Sequence, residues 1–236
     1  DRLLIAWDDP EPLPSGGFAV ETGGGPVFLD ELAVCAYLRE GPTGGEPGEP
    51  PPGPGGEVIF QDNFDGAVLH DKWRWVNEPP DAWALEEGRL VIKVLPETGV
   101  NLDPDALALN APALIVEAPP DVDFSARVDV QVTPTQNYQQ AGLIVISRAR
   151  QPLFMLTRVF CDQPERCQGD AIHFDDLRMF AQDREGYRPH VAGGVELPPD
   201  GVVSLRILIN RGGAVGFYSL DGGREWWMVG EWPLLA

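Results

Sequence analysis

In the stretch FSARVDVQV, residues 124 to 132, apolar Phe124, Ala126, Val128, Val130 and Val132 alternate with polar Ser125, Arg127, Asp129 and Gln131. A period of two is that of a β-strand with one face buried. The same alternation runs through Val203, Leu205, Ile207 and Ile209, and through Leu90, Ile92 and Val94. Two continuous apolar runs of strand length, AGLIVIS (141 to 147) and LFMLTRVF (153 to 160), read as central strands. Turn signals fall between these segments: Glu87-Gly88, Pro119-Pro120, Pro198-Pro199-Asp200-Gly201, Arg211-Gly212-Gly213 and Asp221-Gly222-Gly223. No stretch sustains a 3.6-residue period with caps, so no helix is expected. Many short strands with regular turns predict an all-β fold, an antiparallel two-sheet sandwich with jelly-roll connectivity.

Polar punctuation also divides the chain. From Gly41 to Gly56, GPTGGEPGEPPPGPGG, thirteen of sixteen residues are Gly or Pro, and none can anchor a core. This linker separates a β segment at 1–40 from a larger β domain at 57–236. Phe18 and Val20, then Val27, Leu29, Leu32 and Val34, carry the apolar positions of two strands in the first segment.

Composition narrows the function. A formal net charge of −20, with 17 Lys and Arg against 37 Asp and Glu, excludes the clustered basic footprint of a nucleic-acid binder. No apolar run reaches membrane-spanning length, so no membrane insertion is expected. Of the three cysteines, Cys161 and Cys167 bracket DQPER at a spacing that suits a disulfide closing a hairpin loop, which would imply an oxidising compartment. The alternative is two free thiols. Cys35, in LAVCAYL, reads as a buried small hydrophobe.

The segment FQDNFDGAVLHDKWRWVNEPPDAWAL (60 to 85) resembles the opening of concanavalin A-like, laminin G-like sandwich domains, nearest to those at the C-terminus of bacterial β-xylosidases. The matching pieces are Asp62-Asn63-Phe64-Asp65-Gly66, Trp73 and Trp75, and Trp83 before GRLVIKV; NYQQAGLIV and LRILINRGGAVGFYSLDGGREWWMVG continue the resemblance. Together they cover about residues 57 to 236. LLIAWDDPEPLPSGGFAVETGGGPVFLDELAVCAYL, near the start, resembles the last strands of such a sandwich, with strands at 17–21 and 27–37. The resemblance thus implies that the larger domain lacks its final strand or strands. Strands 17–21 and 27–37 are then expected to complete a sandwich in one of three ways: in the same chain, in a neighbouring copy as donor strands building a head-to-tail filament, or with sequence outside this chain.

Domains of this family bind sugar, lean on a catalytic partner or space modules apart, and the resemblance supplies no catalytic centre. Glycoside hydrolysis needs two carboxyl groups held across a bond, and an acidic chain offers too many pairs for their number to count as evidence. Trp83, Tyr138, Gln140 and Trp227 are the candidate carbohydrate contacts, aromatic rings for stacking and an amide for hydroxyl groups. Any one Trp can equally be core; of adjacent Trp226 and Trp227, one is expected inside and one outside. Asp62 and Asp65 are candidate ligands of a structural Ca²⁺, or simply an Asx turn. His173, beside Asp170, Asp175 and Asp176, is expected to be a loop histidine among solvated acids. Ser219 to Trp226, SLDGGREW, fits the S-x-D-x-G-x-x-W hairpin called the Asp-box and is expected to be structural.

The expected protein is an extracellular or cell-surface, non-catalytic structural or adhesive module whose partners are copies of itself, neighbouring domains or polysaccharide. The alternative is a carbohydrate-binding accessory module of a glycoside hydrolase.

Overall fold

The computed structural model describes residues 16–22, 26–37, 57–93, 100–101, 108–118, 123–134, 136–147, 151–161, 169–183, 185–192, 195–199, 201–210 and 213–233. The strands in chain order are β1 (Gly16–Thr22), β2 (Pro26–Tyr37), β3 (Glu57–Asp62), β4 (Arg74–Val76), β5 (Trp83–Glu86) and β6 (Arg89–Lys93). They continue with β7 (Val100–Asn101), β8 (Ala108–Leu109), β9 (Ala113–Glu117), β10 (Asp123–Gln131), β11 (Gln140–Ser147) and β12 (Pro152–Cys161). Next come β13 (Gly169–Asp176), a short helix α1 (Leu177–Gln182), β14 (His190–Val191), β15 (Val202–Asn210), β16 (Gly213–Ser219) and β17 (Trp227–Pro233). One sheet, sheet A, runs β14-β13-β12-β11-β1-β9-β4; the other, sheet B, runs β17-β16-β15-β10-β2-β6-β5, with β3 also on β2. The fold is the expected antiparallel two-sheet sandwich.

Alternation does what the sequence predicts. Ala126, Val128 and Val130 of β10 and Val203, Leu205 and Ile207 of β15 are fully buried between the sheets, against Leu143 and Val145 of β11, Leu156 of β12 and Phe174 of β13. The continuous apolar runs have a further cause. Ile144, Ile146 and Met155 face away from that core and are covered by Leu109, Ala111 and Leu177, so β11 and β12 are apolar on both faces because both are buried.

Helix α1 departs from the expectation of no helix. Asp176 caps it, its carboxylate accepting from the N–H groups of Arg178 and Met179, and the helix ends after six residues. A single N-cap Asp is too local a signal to show as periodicity.

The N-terminal strands sit in the middle of both sheets of their own chain. β1 lies between β11 and β9, with Phe18 opposite Val145 and Val116, and Val20 opposite Leu143. β2 pairs β10 on one edge, with Leu29 opposite Val130 and Val34 opposite Ala126. On its other edge it pairs β6 through Val27 and Leu29, then β3 through Leu32 and Val34. Leu32 is 1% exposed in the main core.

Candidate functional site

Side chains alternate along β13: Ile172 and Phe174 enter the core between the sheets, while His173 and Asp175 face the other side of sheet A. That outward face is polar at one end. Thr157 of β12 stands directly opposite His173, and its hydroxyl donates to Gln140 Oε1 at 3.4 Å. Beyond Gln140, Tyr138 is 55% exposed and held at φ 65°, while its N–H donates to Phe160 O. A left-handed backbone is uncommon for a bulky side chain and carries a conformational cost.

At the other end of the row, Tyr187 donates its hydroxyl proton to Asp175 Oδ1 at 3.2 Å and accepts from the Asp176 N–H at 2.9 Å. Its ring stacks between Phe180 and Trp232, and the Trp232 indole donates to Phe174 O. Burial pushes Asp175 up to about 7, the Asp176 charge adding to the rise and the Tyr187 hydrogen bond opposing it. Burial lowers His173 to about 4, so its ring is neutral at physiological pH. His173 Nε2 is buried without a hydrogen-bond partner. Burial, then the Asp175 charge, holds the Tyr187 phenol well above its usual range.

His173 is therefore no loop residue among solvated acids; it lies in a strand and is 7% exposed. The acids beside it also part company. Asp175 shares its face, Asp176 points the other way to cap α1 and pair Arg178, and Asp170 pairs the fully buried Arg158. Asp175 and Asp176 are thus not two carboxyls facing one bond.

The four candidate sugar contacts do not converge. Gln140 opens β11 and Tyr138 lies in the turn two residues before it, whereas Trp83 and Trp227 lie on β5 and β17, opposite edges of sheet B. Trp83 is half-buried against Trp75 and donates to Glu78; Trp227 is 40% exposed beside Tyr218. Trp226 is half-buried too, so neither member of the Trp226–Trp227 pair is core, contrary to the expected division. Thr157, His173, Asp175 and Tyr187 join the site only through burial and cross-strand register, neither of which a local pattern displays.

Asp62 uses both carboxylate oxygens internally, one on the Phe64 N–H and one on the Trp73 indole, each at 2.8 Å. That is the Asx-turn geometry. Asp65 is exposed, with one oxygen facing Gly88. Among the described residues, no three His, Cys, Asp or Glu side chains gather as a metal site. Cys167 lies outside the described residues, and only the backbone of Cys161 is described.

The Asp-box hairpin follows its local chemistry. Asp221 Oδ1 accepts from the Glu225 N–H, from Ser219 Oγ and from the Arg224 N–H, which lowers its pKa, the Glu225 bond foremost, and Gly222 and Gly223 take positive φ. Trp226 then lies beneath the guanidinium groups of Arg127 and Arg206, 5.8 and 5.9 Å from its ring centroid.

Two antiparallel sheets enclosing one apolar core are the architecture of a concanavalin A-like sandwich. Residues 61–234 match the β-xylosidase C-terminal concanavalin A-like domain. The chain belongs to that family. No curated protein and no solved structure matches it. The matched span takes in β4 to β17 and the last two residues of β3, and leaves out β1 and β2.

Proposed function

We propose that this chain is a non-catalytic accessory module of a carbohydrate-active protein, contacting polysaccharide at the Tyr138–Gln140 end of sheet A. Tyr138 carries the reading. An aromatic ring held outward on a left-handed backbone is a cost to the fold, and such costs concentrate where a side chain has a task. The exposed ring offers an apolar surface for a sugar ring, and the Gln140 amide beside it suits the hydroxyl groups. β-Linked xylan is the polysaccharide that the family's description suggests. An extracellular location goes with such a polymer.

A filament role loses its motive here, because β1 and β2 occupy their own chain's sheets instead of leaving them open. The test is affinity electrophoresis and titration calorimetry with soluble xylan and other β-linked polysaccharides. Binding that falls about tenfold or more in Tyr138→Ala, with unchanged melting, supports the assignment. Absence of binding, or binding indifferent to Tyr138 and Gln140, sinks it.

A further inference from the structure

The register of β2 and β3 places Ala36 directly opposite Glu57. Two residues so paired in an antiparallel ladder have Cα atoms about 5 Å apart, and a loop of about two to five residues closes such a hairpin. The chain instead puts the 19 residues 38–56 between Tyr37 and Glu57. Fully extended, that length reaches on the order of 60 Å, more than ten times the gap it closes. The connection is far longer than the pairing within one chain requires.

The segment it tethers is also unusual. β1 and β2 each fill a central position, one per sheet, and both lie outside the span matched to the family. Every pairing they make is with residues on the far side of the linker: β1 with β9 and β11, β2 with β3, β6 and β10. No covalent geometry therefore dictates which copy supplies them. We infer that the β1–β2 segment is an exchangeable element, and that the partner is a second copy of this chain, with two molecules trading segments to form a reciprocal dimer joined by two crossing linkers. Each sandwich in the dimer keeps the contacts of the monomer, so the balance is set by concentration and linker reach, not by a new interface.

The experiment uses the full chain carrying a site-specific protease sequence within residues 43–52. It is refolded at micromolar and at near-millimolar concentration and sized by light scattering. The expected result is a dimer fraction that grows severalfold with refolding concentration and persists on dilution. Cutting the linker should convert that dimer into particles of monomer mass, each retaining both fragments. Deleting Gly41–Pro54 leaves five residues between Tyr37 and Glu57, which still closes the hairpin in one chain and should abolish the dimer. Monomer at every concentration overturns the inference, and so does a dimer that survives linker cleavage or forms equally with the shortened linker.

Discussion

The Tyr187 hydroxyl stands between two consecutive aspartates, donating to the Asp175 carboxylate at 3.2 Å while accepting from the Asp176 backbone N–H at 2.9 Å. It fixes the junction where β13 becomes α1. Tyr187→Phe keeps the ring stack and removes both bonds, leaving a buried N–H without a partner. A loss of about 1–3 kcal/mol is expected, read by urea unfolding.

The neighbouring His173 and Asp175 should give opposite pH dependences of stability. Asp175 is raised from 3.8 to about 7, so the stability it contributes is present below pH 4 and is lost as pH rises towards 7. His173 is lowered from 6.5 to about 4, so its contribution is present above pH 6.5 and is lost as pH falls towards 4. Across that window the two slopes largely cancel, each being at most about 1.4 kcal/mol per pH unit. Relative to the parent chain, Asp175→Asn should gain stability with rising pH between 4 and 6.5, and His173→Phe should lose it. Parallel profiles for all three proteins would refute this.

Arg158 is fully buried and bonds the Asp170 carboxylate through Nε at 3.1 Å, while its terminal nitrogens hold the carbonyls of Pro198 and Gly201. Arg158→Ala strips a buried charge pair of one partner and frees the 195–201 segment. A loss of about 3 kcal/mol is expected in equilibrium unfolding, the low end for such pairs because Asp170 keeps some contact with water.

Leu32 tests whether the N-terminal segment belongs to the same cooperative unit. Its side chain is 1% exposed in the main core, so Leu32→Ala should cost about 2–5 kcal/mol and shift one unfolding transition as a whole. A second, separate transition, or no shift, would place β2 outside that unit.

Tyr138→Gly should separate stability from function. Glycine takes φ 65° without the steric cost a tyrosine bears, worth about 1 kcal/mol. Melting should hold or rise while polysaccharide binding is lost.

The strands were legible where one face meets water. Alternation in β10 and β15 marks their buried sides residue by residue. The runs in β11 and β12 announce burial on both faces but not its cause, because the covering residues Leu109, Ala111 and Leu177 come from short segments with no period of their own. Residues 17–21 and 27–37 read as strands, yet their neighbours lie up to more than a hundred positions away, as with Val20 and Leu143. Local pattern carries no such address. The same limit governs the site. Tyr138 and Gln140 were recognisable by residue type, whereas His173 became a buried neutral ring only through its tertiary surroundings. Trp83 and Trp227, alike in sequence terms, are separated by the full width of sheet B.

The central seats of β1 and β2 bear on how the protein is made. Synthesis delivers these strands ahead of their partners: Val20 has no ladder partner on β11 until Leu143 has left the ribosome, and β2 likewise waits for β10. The nascent chain carries two apolar strands with unpaired edges through much of its elongation. Such non-local pairing is slow to form, and while it is pending the exposed segment is open to aggregation. The order of emergence therefore makes β1 and β2 the last strands of the module to be sheltered although they precede every strand that shelters them.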